Sequence, residues 1–207
     1  MQYSKPCQIL VDEHDVILSV IEAVESVART PDAPSFDPDF FQKACDFFAN
    51  FADKNHHGKE EAHLFPMLEA RGIPRQGGPI GCMLHDHDQG RSHVHGMEQA
   101  LAALAQGDPS AGRVLALEAS RFCELLRQHI QKENQVLFVV GDQAMSEADK
   151  EFLLERFVSA ERDLLPHGAA ARYTSMAEEL RTMAGLGPAL PGLSRQQPMG
   201  GCSHHSA

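Results

Sequence analysis

The stretches His56-His57-Gly58-Lys59-Glu60-Glu61-Ala62-His63-Leu64-Phe65 and His129-Ile130-Gln131-Lys132-Glu133-Asn134-Gln135-Val136-Leu137-Phe138 decide the fold. They share a histidine, a lysine, a glutamate and a Leu-Phe pair, all at one offset of 73 residues. The same offset carries His14 onto His87, so each copy is a lone histidine, a gap of 42 residues and then His-x-x-x-Glu. A spacing of four puts histidine and glutamate on one face of a helix, where both side chains can reach a single point. Leu64 and Met67, and Leu125, Leu126, Leu137 and Val140, make those faces apolar. A carboxylate set among them must be paired or coordinated.

Helical signals surround both copies, and strand alternation is nearly absent. Leu10, Val11, Ile17, Leu18, Ile21, Val24 and Ala28 keep a 3.6-residue period from Gln8 to about Arg29, and Thr30-Pro31 stops it. Asp37-Pro38 caps a second helix that carries Phe40, Phe41, Ala44, Phe48 and Phe51 and runs to Gly72. A third runs from Ile80 to Gln106, and Asp108-Pro109 opens a fourth that reaches about Val140. Ser146 and Asp149 form a capping box for a fifth, and Ala169 to Ala184 reads as a sixth. Short connections make neighbours antiparallel. The expected fold is all-α: an up-down-up-down four-helix bundle over residues 8–140, one or two extra C-terminal helices over 146–184, and a disordered tail over 185–207. At ~1.5 Å per residue, His14 is level with His56, and His87 with His129, to within about 5 Å.

The 207 residues are 43% hydrophobic and 23% charged, which suits one folded domain. A formal charge of -11 repels the phosphates of nucleic acid and the anionic face of a membrane. No apolar run approaches the ~20 residues that cross a bilayer, and Met1 to Pro6 lack a signal pattern, so a cytoplasmic location is expected. The five cysteines contain no Cys-x-x-Cys, which argues against a disulfide framework or a thiolate zinc site. The 12 histidines point instead to metal or acid–base chemistry.

Six nitrogen and oxygen ligands exceed the four of a structural zinc site, and two carboxylates can bridge two cations. A dinuclear iron or manganese centre follows. A ferritin-like site needs two Glu-x-x-His motifs; Glu60 and His63 supply one, but Val136 stands where the second needs its histidine. Glu13-His14-Asp15, residues 56–61 leading to Leu64-Phe65-Pro66, His87-Asp88, and residues 129–133 leading to Leu137-Phe138 together resemble the hemerythrin-like family of HHE cation-binding domains. The resemblance implies that His14, His56, Glu60, His87, His129 and Glu133 hold two iron ions, with Glu60 and Glu133 bridging. It also implies that dioxygen, nitric oxide or peroxide reacts at an open position. Oxygen-carrying members have a fifth histidine one turn from the third-helix ligand, where this chain has Met83 and Arg91. The pattern is therefore more similar to the four-histidine, two-glutamate members, which include iron–sulfur-centre repair proteins.

Two functions share this ligand set: sensing or consuming a small oxidant, and responding to or donating iron through a protein partner. No catalytic residue is assigned beyond the ligands. His57 and Glu61 have the same spacing as His56 and Glu60 but do not recur, and are read as supporting or surface residues. His63, His85, His93 and His95 are spare donors, and Glu161 and Tyr173 are candidates for the mouth of the site. Cys202-Ser203-His204-His205 is read as a solvated tail.

Overall fold

The computed structural model describes residues 3–29, 31, 36–164, 169–189 and 192. The expected bundle is present: α1 (Lys5–Ala28), α2 (38–70), α3 (Pro79–Ala105) and α4 (111–144). Two further helices follow, α5 (Glu147–Leu164) and α6 (Ala169–Met183), and no strand occurs among the described residues. Asp37 accepts the Asp39 N–H at 3.0 Å and starts α2, while Gly72, at φ +87°, ends it as only glycine does without strain. Ser146 and Asp149 exchange hydrogen bonds at the start of α5, as their capping box requires.

Cross-helix pairs set the directions. Ser4 bonds Asp142 and Arg127 pairs with Glu25, so α1 and α4 are antiparallel. Asp86–Lys132 with His93–Glu118, and Glu61–His87 with Asp53–Arg91, show the same for α3 with α4 and α2 with α3. Helix α6 lies on α1 and α2: Arg181 donates to the Ser19 carbonyl and pairs with Glu22, and Lys43 pairs with Glu179. Arg71, the residue just beyond α2, grips Asp149 at the start of α5.

Three departures from regular α-helix bear on function. Phe65 and Phe138 donate their N–H groups to the carbonyls of Glu60 and Glu133, five residues back, so π-helical turns occupy Glu60–Leu64 and Glu133–Leu137. A longer π stretch spans Phe48–His57. Such turns re-aim side chains and concentrate at functional sites. Here they bury the Leu-Phe pair beneath each glutamate, and His14 stacks on Phe138 while His87 stacks on Phe65.

The apolar core is divided. Ile17, Ile21, Phe41, Phe48, Leu115 and Phe122 belong to one cluster; Leu10, Leu64, Phe65, Met83, Leu137 and Phe138 belong to the other. Along α1 the change comes between Val11 and Ile17, and buried His14 lies between them. A polar layer separates two greasy halves. Val140, expected on the inner face of α4, is instead 45% exposed, because the π turn rotates the end of the helix.

Candidate metal centre

All six residues of the repeat meet in that layer, each no more than 1% exposed. His14 Nε2 and His56 Nε2 face each other at 2.9 Å, and His87 Nε2 and His129 Nε2 do so at 3.1 Å. Both carboxylates lie between the pairs. Glu60 sets Oε1 3.7 Å from His56 and Oε2 3.6 Å from His87, whereas Glu133 Oε2 is 3.2 Å from both His14 and His129. Two overlapping groups could each hold an ion: His14, His56, Glu60 and Glu133, and His57, Glu60, His87 and His129. His57 is the addition.

The outward ring nitrogens fix how these histidines sit. His14 Nδ1 donates to Asn134 Oδ1 (2.9 Å), His56 to Glu13 (2.9 Å), His87 to Glu61 (2.7 Å) and His129 to Asp86 (3.3 Å). With Nδ1 donating, a neutral imidazole points its Nε2 lone pair inward. The Lys59 ammonium, fully buried, anchors Glu13, and Lys132 anchors Asp86 at 2.5 Å. This carboxylate–histidine support is the arrangement that orients metal-binding imidazoles. Glu13 and Asp86, like Lys59 and Lys132, are separated by the same 73 residues as the paired histidines and glutamates. The support therefore repeats too; it was missed because glutamate and aspartate differ as letters while serving one purpose.

Charge in the layer is unbalanced. Neither oxygen of Glu60 or of Glu133 finds a hydrogen bond, at a cost of about 1–3 kcal/mol for each buried group, more when charged. Burial and the neighbouring Glu133 push the pKa of Glu60 well above the carboxylate range. Burial works the same way on Glu133, but His129 and His14 hold it down. Burial lowers His129, yet Glu133 and Asp86 raise it to about 9, so a proton stands where cationic charge is wanted. Burial and His14 lower His56 to about 4, leaving its Nε2 an unprotonated lone pair. Although burial opposes it, Glu13 is held at about 2 by His56 and Lys59, and is anionic. Inward lone pairs, unsatisfied carboxylate oxygens and charged outer acids are what a pair of divalent cations requires.

A cavity of about 200 Å³ lies between α2 and α3 and reaches His57 and His87. Phe48, Ala49, Ala52, Gly90, Val94 and Phe122 give it apolar walls, and Asp53, Arg91, His95 and Glu98 stand at its more exposed side. Arg91 ties Asp53 to Glu61 there.

The remaining candidates separate clearly. Glu61 supports His87, as expected for a residue outside the repeat. His57 does not stay on the surface: it is buried and stacked on His87, with ring centroids 3.7 Å apart. Its place in the layer comes from the π stretch Phe48–His57, which has no residue signature. His63 lies near Phe157, His85 bonds Gln89, His93 bonds Glu118 and His95 bonds Gln99. None of these four belongs to either group. Tyr173 packs on Phe47 and Phe51 in the apolar core, because α6 lies on the far half of the bundle. The side chain of Glu161 and the run from Cys202 to His205 lie outside the described residues.

Opposed histidine pairs bridged by two carboxylates, at one level of an antiparallel bundle, define a helical cation-binding protein. The chain belongs to the hemerythrin HHE cation-binding domain family, which matches residues 5–140. It is 32% identical over 85 residues to the iron–sulfur cluster repair protein YtfE of Dickeya chrysanthemi. That alignment covers 40% of this chain and 38% of the relative, so well under two thirds of the relative's length is spanned. No solved structure matches.

Proposed function

We propose that this protein holds a non-haem di-iron centre on His14, His56, Glu60, His87, His129 and Glu133, at which dioxygen, nitric oxide or peroxide is bound and then sensed or reduced. The observation that carries this reading is the inward aim of the two opposed Nε2 pairs onto Glu60 and Glu133, whose oxygens have no other partner. The set has no sulfur and more ligands than a structural zinc needs; manganese would fit it as well. When bound, the two metals supply Lewis acidity and redox equivalents for a small oxidant. The chain does the rest. Lys59 and Lys132 hold Glu13 and Asp86, which hold His56 and His129 through Nδ1 with Nε2 turned inward, where metal would displace the proton of His129. The cavity offers a small uncharged molecule a path to the His57–His87 side, and its apolar walls favour such a molecule over water. A reducing, cytoplasmic setting suits its four free described cysteines.

The test is anaerobic loading with ferrous iron, then optical spectra on addition of dioxygen, nitric oxide and peroxide in turn. At least one is expected to change the spectrum; a loaded protein blind to all three contradicts the reading. Likeness to a repair protein favours a second role, donating iron to a damaged iron–sulfur protein partner. Transfer of iron from the loaded chain to an apo iron–sulfur protein, faster than from free iron of equal concentration, would establish that role.

A further inference from the structure

We infer that His57 is itself a metal ligand, a third imidazole on the His87–His129 side that makes the two metal positions unequal. The inference rests on the dinuclear reading above and extends it by one residue. Each of the five histidines in the polar layer is built alike: Nδ1 is held by an oxygen acceptor, and Nε2 points inward. For His57 that acceptor is Asp53 Oδ1, at 3.2 Å, and Arg91 clamps Asp53 from outside at 2.9 Å. His57 Nε2 is buried and has no hydrogen-bond partner. A ring nitrogen of His57 lies within 4.8 Å of donor atoms of Glu60, His87 and His129, close enough to share one ion with them, and Nε2 is the one left without a partner.

Packing alone would not select histidine here. Ile130 holds the corresponding place in the second half, and it fills its site with no polar atom to satisfy. Leu126 and Leu18 stand where the first-named half has Asp53 and the cavity side has Arg91. A histidine with an orphaned acceptor, and a charged pair to orient it, costs stability that an isoleucine would not. Metal coordination repays that cost, since it satisfies Nε2 and uses the tautomer that Asp53 sets. The result is three imidazoles on one position against two on the other, with the three-imidazole position facing the cavity.

The experiment compares wild type with His57→Phe, whose ring can keep the stack on His87 while removing the lone pair. Both are loaded anaerobically with ferrous iron, checked by thermal melting of the apo forms, and challenged with a ferrous chelator. One of the two irons is expected to leave His57→Phe at least about 10–100-fold faster, the loss that even a ligand's outer partner can cause, while the other keeps its rate. Mössbauer spectra should show the two sites becoming more alike. Unaltered release and spectra in a variant that holds two irons would overturn the inference alone. A wild type that retains fewer than two irons would overturn the dinuclear reading and this inference together. If the phenyl ring prevents folding, His57→Ala with added imidazole decides: rescue of slow release supports ligation, and no rescue overturns it.

Discussion

The helix pair α1–α2 and the helix pair α3–α4 carry the same candidate ligands at the same spacing, yet they are packed differently. Against His14, the α4–α1 side offers Ile17, Leu18, Ile21, Leu126 and Ile130, all buried. At the corresponding places against His87, the α2–α3 side offers Gly90, Arg91, Val94, Asp53 and His57. Large apolar residues close one flank; a glycine, an ion pair and an extra imidazole open the other into a cavity. The outer acids differ likewise, since neutral Asn134 supports His14 whereas Glu61, held at about 2 chiefly by its bond to His87, supports the other lone histidine. On the proposed di-metal reading, duplication supplies one position for each metal. Divergence between the copies explains why a small molecule would reach one side of the centre and not the other.

The comparison breaks most severely at the shared carboxylates. Glu60 and Glu133 each approach both histidine pairs, so Glu60→Ala or Glu133→Ala should abolish retention of both irons through gel filtration. Glu61→Ala, which removes only an outer partner of His87, should retain iron at full stoichiometry with weaker binding. If Glu61→Ala proved the more damaging by elemental analysis, the pairing of His56 with Glu60 would be misread by one residue.

Removing outer support should separate the halves. Glu13→Gln and Asp86→Asn each replace the charged acceptor of one histidine, and such changes weaken a metal by about 10–100-fold. Chelator titration should find one site weakened in each variant, a different one in each. Smaller still is the effect of closing the open flank. Gly90→Ile copies Ile17 and should slow reaction with nitric oxide or peroxide by about ten-fold while two irons remain, read by stopped flow. Gly90→Ala is the mildest change: its Cβ would meet Phe122 at an ordinary 3.6 Å, and exchanging a helical glycine for alanine should raise stability by about 0.5–1 kcal/mol in denaturant melts.

The candidate ligand set was legible because metal chemistry fixes residue type as well as spacing. His14, His56, Glu60 and their counterparts had to recur as letters, and the start of α2 at Pro38 and its stop at Gly72 were written in residues with restricted or unusual backbones. Less visible were features that depend on function shared by different letters. Glu13 and Asp86 both brace an imidazole, but a comparison by identity passes over them. The π turns leave no mark except that Phe65 and Phe138 lie five residues beyond their glutamates and are buried with them. His57 was set aside for the reason that makes it informative: the repeat has no second copy of it. The cavity arises from small side chains facing one another across α2 and α3, a relation between distant positions that no single stretch displays.

The most direct measurement of the central claim is thermal unfolding of the apo and iron-loaded chain, with iron counted in the same sample. Two irons per chain and a higher midpoint are expected at about pH 7, each site contributing about 2.7 kcal/mol when free iron is 100 times its dissociation constant. Metal relieves the unsatisfied carboxylates of Glu60 and Glu133 and must displace the protons of the layer, so the gain should shrink as the pH falls towards about 5. A loaded sample with one iron or none, melting with the apo protein at every pH between these values, would contradict the account.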